Sequence, residues 1–421
     1  MLLQILFFVA VLALLGVLVR QVREQYLPVI ALAFVIACLP FNDVPYLIIG
    51  MLTMSVLIVL AFIINKSRRF TWHPMFYAIV VMYLLKIMGV INVGYLDFPT
   101  QRFDTAIPML LFPILFSMVQ LSKRNVILVL RFFLWIVIAV CVYGLLSYAI
   151  TVYNFSLKAA LLDGKSYSRF FIVWPITWQP SALSIMMLMA LPVSFYLRYH
   201  DGKQITLVEM LLAVSLPILV TFMVGARIGV AVFPVLLGLS YLFYCKFKPI
   251  FKWSLVAIGA VAMSVTVLSL PSDIRERYSD QIRIDLRNTA ISAIKEKPIF
   301  GWGTWQQRDL ILCEERAQSL GIDKPHSQWH FHNLYLDTMV QFGIVGILVL
   351  MWLIFGIFWI ATSKRHFLLL SFAMMYIMAF FFENVLHSSR WIVTFMFWFC
   401  FLIANWKYLV ERTPTSTLEH R

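Results

Sequence analysis

Apolar residues run along this chain in unbroken blocks rather than in alternation with polar ones, at 2–19, 26–40, 46–64, 73–91, 105–121, 126–150, 180–198, 206–223, 227–244, 253–270, 334–361, 367–382 and 391–409. Most of these blocks approach or exceed the roughly 20 residues that carry an α-helix across a bilayer. A soluble core helix shows a stripe of apolar positions at 3.6-residue spacing, whereas these runs are apolar on all sides. The pattern predicts an all-α, polytopic membrane protein with about 12–13 transmembrane helices. The block at 2–19 lacks a basic segment before it and is followed by Arg20 and Arg23, so it is expected to be a retained helix with its N-terminus outside.

The connections fall into two sets. Arg20/Arg23, Lys66/Arg68/Arg69, Lys123/Arg124, Arg198/Lys203, Lys246/Lys248/Lys252 and Lys364/Arg365 occupy alternate connections that are short, basic and nearly free of acid. Such connections stay cytoplasmic. The remaining ones, including a smaller loop at 151–179 and a large one at 271–332, then lie outside. No segment has a strand-and-helix alternation of its own, so 1–421 reads as a single integral membrane domain with these loops as insertions. Inside the large loop, Ile284, Ile291 and Ile294 recur at helical spacing over 280–297, with Lys295 and Lys297 in the last turn and Pro298 beyond. The spacing predicts a short amphipathic helix there, a turn at Phe300-Gly301-Trp302-Gly303, and a second helix over 306–320 ended by Gly321.

Composition narrows the function classes. The 421 residues are 62% hydrophobic and 13% charged, with a formal net charge of +14. In a soluble chain that balance would raise nucleic-acid binding, but here the cations sit in inter-helix connections where membrane orientation accounts for them. Cys38, Cys141, Cys245, Cys313 and Cys400 are scattered without a pairing or metal-binding pattern.

The candidate chemistry gathers in the large loop and at its junctions. Arg283 and Arg287 are four residues apart, so two guanidinium groups project from one helix face and can grip an anion such as a diphosphate. A solvated face in which Asp280 and Asp285 partner them explains the same residues. Arg227, in Gly225-Ala226-Arg227-Ile228-Gly229, stands at the external end of a helix, where a charge is costly unless it faces protein, water or a headgroup. His326, His330 and His332 could converge on zinc, but no carboxylate or cysteine completes an obvious set. A neutral histidine at the membrane surface suits a general base towards a hydroxyl, and an ordinary loop histidine fits equally well. Asn333, Asp337 and Gln341 then recur every four residues, a polar stripe expected to face a wet cavity. Lys86 lies deeper within an apolar run, and the smaller loop supplies Arg169 and Trp174-Pro175-Ile176-Thr177-Trp178-Gln179-Pro180.

Three stretches together resemble the O-antigen ligase and polysaccharide polymerase superfamily. The strongest runs through Arg283-Ile284-Asp285-Leu286, Ala290, Pro298-Ile299-Phe300-Gly301-Trp302-Gly303, His332-Asn333-Leu334-Tyr335-Leu336 and Gly343-Ile344-Val345-Gly346. Gly225-Ala226-Arg227 is a second, and Arg169 with Pro180-Ser181-Ala182 and Leu191-Pro192 a weaker third. The chain departs from the family's pattern where Arg287 stands for a tryptophan, where a glycine shortly after Arg169 is missing, and where Ser181 replaces an asparagine. The resemblance implies a glycosyltransferase of the bacterial inner membrane with its active site on the periplasmic side and neither metal nor cofactor. It implies an undecaprenyl-diphosphate-linked glycan as donor and a saccharide or lipid A-core acceptor. His332, Arg283 and Arg227 would be catalytic, with Arg287, Arg169 and Asn333 binding substrate. A lipid-linked oligosaccharide flippase or another polytopic transporter is the competing reading, although transporters set their polar residues near the midplane of broken helices.

Overall fold

The computed structural model describes residues 26–40, 44–64, 69–91, 105–155, 180–200, 204–224, 226–244, 281–304, 331–386 and 389–410, and among these there is no strand. The helices are α1 (Leu27–Cys38), α2 (Val44–Ile64), α3 (Phe76–Ile91), α4 (Pro108–Met118), α5 (Lys123–Phe155), α6 (Pro180–Leu188), α7 (Ala190–Tyr199), α8 (Leu207–Met223), α9 (Arg227–Tyr244), α10 (Gln281–Glu296), α11 (Leu334–Ser363), α12 (Phe367–Phe382), α13 (Ser389–Ala404) and α14 (Trp406–Leu409). The expected blocks at 2–19 and 253–270 and the expected loop helix at 306–320 lie outside the described residues. Tyr46–Ile64, Lys123–Ser147, Pro180–Tyr199 and Leu334–Ser363 are long and apolar enough to cross a membrane, and the remaining apolar helices are shorter.

Among the described residues, three interruptions of blocks expected as single helices bear on the packing and the site. The block at 180–198 breaks at Met189, because Pro192 has no N–H to give the Leu188 carbonyl and its ring would clash with it. The last block breaks at Asn405, whose side-chain amide donates to the Phe401 carbonyl at 2.8 Å before the short α14 begins. The third break, at Gly343 inside α11, matters most for the site.

Packing is arranged for an apolar surround. Along α11 the exposed positions Ile344, Leu348, Trp352, Phe355 and Trp359 are large and apolar, recurring every three or four residues on one face. The opposite face, Gly346, Leu350, Leu353, Ile357 and Ala361, is buried. A helix with hydrophobic residues on both faces is solvated by lipid, where close packing rather than water exclusion drives association. The central post is α13, buried without interruption from Trp391 to Ile403. Phe133 of α5 meets Trp398 edge-on at 4.6 Å, Phe116 of α4 meets Phe397 at 6.1 Å, Phe76 of α3 meets Phe399 at 6.1 Å and Tyr376 of α12 meets Phe395 at 4.9 Å. These edge-to-face contacts each add about 1 kcal/mol to the packing.

The two ends of the bundle differ. At one, Tyr199 stacks on Tyr244, Tyr244 packs on Phe367, the Tyr196 hydroxyl donates to the Tyr408 carbonyl, and Lys364 lies 5.5 Å from the Trp406 ring. This end collects Arg198, Lys364, Arg365 and Lys407. Because the end of α9 (Phe243, Tyr244) packs on the start of α12 (Phe367), these two helices run antiparallel. The start of α9, the end of α12 and the start of α11 therefore lie at the opposite end.

At that end α11 opens its backbone ladder. In a regular helix the Ile344 and Val345 amides would donate to the Val340 and Gln341 carbonyls. Here Ile344 donates to Pro298 at 2.9 Å and Val345 to Ile299 at 3.5 Å, while Val340 and Gln341 accept from Trp302 at 2.8 Å and Gly303 at 2.9 Å. The turn after α10 thus fills all four vacated positions, and non-helical backbone survives among apolar helices because its polar groups are paired. The turn and the break touch through two glycines. Gly343 has φ +59° and ψ −151°, and an added Cβ would overlap the Ile299 carbonyl. Gly301 has φ +69°, and a Cβ there would overlap the backbone of Gln341. The turn falls where the sequence pattern predicts one, whereas the break that receives it has no counterpart in that pattern.

Gly343→Ala is expected to destabilise the protein by about 2–4 kcal/mol, since it combines a glycine-only backbone conformation with a backbone overlap. Thermal unfolding in detergent measures this, and an unchanged midpoint would show that the interlock yields without cost.

Candidate functional site

His332 sits at the mouth of this interlock, two residues before α11 begins. Its φ of +46° is left-handed, a conformation that costs a non-glycine residue about 1–2 kcal/mol. Such strain persists only where surrounding contacts hold it in place. The contacts are visible: Phe331 on one side is buried against Leu286, Ala290, Ala293 and Val340, and Asn333 on the other caps α11. The Asn333 Oδ1 accepts from the Leu336 amide at 3.0 Å, and its Nδ2 donates to the Phe381 carbonyl at 3.2 Å. The Tyr335 hydroxyl adds a bond to the Ile377 carbonyl at 3.4 Å. The head of α11 is therefore tied to the last turn of α12.

That tie sets Glu383 beside the histidine. Glu383 ends α12 with extended backbone, and its Oε2 lies 3.4 Å from His332 Nδ1, with the carboxylate side chain 5% exposed and the imidazole 30%. A buried carboxylate facing Nδ1 favours the tautomer with the proton on that nitrogen, which leaves the lone pair on Nε2. Sequence reasoning missed Glu383. The available signal was an acid at the end of the apolar run Phe380-Phe381-Phe382, 51 residues beyond His332.

The polar stripe resolves differently from its expectation. Asn333 caps the helix, and Asp337 and Gln341 are buried within protein, the Gln341 amide donating to the Asp337 carboxylate. Lys86 of α3 completes this group. Its ammonium donates to the Leu386 carbonyl and interacts electrostatically with Asp337, while its own carbonyl accepts from the Thr304 hydroxyl at 2.7 Å. Protein side chains, not a wet cavity, thus take up the stripe. A charge this deep in an apolar bundle needs such partners.

The arginines are placed at the level of the backbone. Arg283 and Arg287 both lie on α10, which packs on the head of α11 through Leu286, Ala290 and Ala293. The Arg287 side chain is exposed, and that of Arg283 lies outside the described residues. The end of α10 is fixed by Trp302, whose indole nitrogen donates to the Ala293 carbonyl at 2.9 Å and whose ring lies 4.0 Å from the Lys297 ammonium. Arg227 is the first residue of α9, at the bundle end shared with His332 and Glu383, and its side chain lies outside the described residues. Gly229, two residues later, lets α9 approach closely, since a Cβ there would meet Thr221 of α8 and Ser184 of α6. Arg169, His326 and His330 lie outside the described residues.

Fold and site define a helical, multi-pass membrane protein with a His–Glu pair at one end. The family model described as O-antigen ligase matches residues 212–351, from α8 into α11. This stretch contains Arg227, Arg283, the turn at 298–303, His332 and the Gly343 break, and it supports assignment of that region to the O-antigen ligase and polymerase superfamily. An uncharacterized protein of Haemophilus influenzae is 27% identical over 162 residues. The match spans 34% of this chain and 40% of that relative, so it covers less than half the length of either. Lys86 and Glu383 lie outside the family match.

Proposed function

We propose that the protein is a membrane glycosyltransferase that transfers or polymerises glycan from an undecaprenyl-diphosphate donor onto an acceptor hydroxyl at the periplasmic face of the inner membrane. The observation that carries this reading is the strained His332 held against Glu383 at the head of α11, inside the region matched by the family model. Supporting it, α10 with its two arginines packs on that same helix head, and Arg227 opens a helix at the same bundle end.

In this scheme the acceptor oxygen attacks the anomeric carbon, and the bond from that carbon to the diphosphate oxygen breaks. His332 Nε2 takes the hydroxyl proton while Glu383 holds Nδ1–H and stabilises the imidazolium that forms. Charge develops on the departing diphosphate, and Arg283 and Arg227 bind it with charge-assisted hydrogen bonds, Arg287 and Arg169 supporting them. Asn333, bonded to both α11 and α12 through its amide, fixes the histidine beside it and supports substrate binding. The donor already carries its leaving group, and no nucleotide is consumed. Ligase and polymerase share this chemistry and differ in the acceptor, lipid A core or another carrier-bound repeat.

Purified protein in detergent, given lipid-linked donor and acceptor without ATP or an ion gradient, is expected to transfer glycan. Movement of the donor across vesicles with no new glycosidic bond would favour the flippase reading instead. His332→Ala should insert normally and lose transfer. His332→Gly, which relieves the left-handed backbone, should melt at least as high as wild type and be equally inactive. Full transfer by either variant excludes the proposed base. Glu383→Gln keeps the shape but weakens the ionic contact, and a fall in kcat of about 10²- to 10⁴-fold is expected for a disturbed base. Arg283→Lys should also turn over more slowly, because a point charge replaces a planar two-pronged donor. Wild-type kinetics in that variant would reduce Arg283 to a structural role.

A further inference from the structure

Lys86 is a cation in the middle of an apolar helix, far in sequence from every residue in the proposed reaction. It is buried, and it joins three elements that the site depends on. Its ammonium donates to the carbonyl of Leu386, in the segment that begins with Glu383. It interacts electrostatically with Asp337, whose carboxylate accepts from Gln341, and Gln341 supplies one of the carbonyls held by the turn after α10. Its backbone carbonyl accepts from Thr304 at the end of that turn. Three residues along, Gly89 lacks the Cβ that would overlap Thr304, so α3 and the turn lie in contact.

The segment held by Lys86 needs such a tether. Glu383 leaves α12 with φ −145° and ψ 150°; its own amide makes the last helical bond, to the Ala379 carbonyl at 2.9 Å, and Val385 and Leu386 beyond it lie in a turn. Asn384, Val385 and Leu386 are nevertheless buried, and the Asn384 side-chain amide has no hydrogen-bonding partner among the described residues. The ammonium's acceptor, Leu386, is three positions after Glu383, and a displacement of this segment by about 1 Å would break the 3.4 Å contact to His332.

We infer that Lys86 is a positioning residue that, through its hydrogen bond to the Leu386 carbonyl, holds the Glu383 carboxylate against the His332 imidazole. This rests on the transferase reading for its effect on turnover, but its geometric content stands apart from that reading. The alternative role, neutralising the buried Asp337, predicts different behaviour in a double variant, because removing both charges together abolishes the need for compensation.

Two readouts test it. In transfer assays, Lys86→Met should lower kcat about tenfold or more with acceptor KM unchanged, as expected for losing one hydrogen bond from a charged donor. Lys86→Arg, which retains a donor, should recover part of that loss. Lys86→Met combined with Asp337→Asn should still accumulate in the membrane, with melting lowered only by the unpaired Leu386 carbonyl, and stay slow. Turnover at the wild-type rate in that double variant would overturn the inference and leave Lys86 a charge compensator. The second readout needs no catalysis. With the native cysteines replaced, His332→Cys and Glu383→Cys are bridged by a short bis-maleimide, and the rate should fall about tenfold when Lys86→Met is added. Equal bridging rates with and without Lys86 would overturn the inference even if the protein proved not to be a transferase. Should Lys86→Met alone fail to accumulate, the double variant carries both readouts, since it buries no unpaired charge. Inactivity of wild type combined with slowed bridging would refute the transferase reading and leave the tether standing.

Discussion

A helix surrounded by apolar side chains and lipid cannot leave backbone amides and carbonyls unpaired, because each would cost several kcal/mol with no water to receive it. At Gly343 α11 gives up two consecutive rungs of its ladder, and the structure around the site follows from how those four groups are re-paired. The turn from Pro298 to Gly303 supplies two carbonyls and two amides in matching order. Its fit requires a left-handed Gly301 and a Gly343 in a region only glycine occupies comfortably. Through this exchange α10 is fixed against α11, and the turn at 298–303 becomes part of the helix packing around Gly343.

The same constraint explains why the candidate site is rigid where it lies nearest the apolar core. His332 keeps a strained backbone because Phe331 is buried under α10 on one side and Asn333 is bonded to two helices on the other. Glu383 keeps its place because the α12 end is tied to the same asparagine and because Lys86 reaches the segment beyond it. Each tie is a single hydrogen bond of modest net value, about 1 kcal/mol for neutral partners. Their joint effect is to limit the relative movement of two side chains that come from opposite ends of a 51-residue interval.

Much of this was legible in the sequence where one physical signal dominates. Unbroken apolar runs gave the helical class and most boundaries, and Ile284, Ile291 and Ile294 with Pro298 located α10 to within a residue or two. His332 and Asn333 stood out as polar residues at the start of an apolar block. The failures share a cause, which is that a pattern along one helix says nothing about what packs on it. Asp337 and Gln341 looked like a wet face because their spacing is helical, whereas Lys86 from α3 and their own mutual bond satisfy them inside protein. Glu383 went unnoticed because it is a lone acid between apolar runs, and only the antiparallel packing of α11 and α12 brings it to His332. The break at Gly343 was hidden because glycine in an apolar helix more often marks close packing than an opened ladder.

Lys86 and Glu383 also show how the matched family region depends on residues outside it. Residues 212–351 contain the arginines, the turn, the histidine and the glycine break, but neither the carboxylate that faces the histidine nor the lysine that reaches the segment carrying it. In the proposed reaction, the pyrophosphate grip and the base come from a compact stretch of sequence, since α10, the turn and the start of α11 follow one another in the chain. Setting the base's proton on the correct nitrogen requires a fixed acid on a neighbouring helix, and fixing that acid in an apolar surround requires a buried donor from a third. The chain that surrounds the matched region is therefore more than a lipid-facing shell, because α12 ends in the acid that faces the imidazole and α3 supplies the lysine that bonds the segment beyond it.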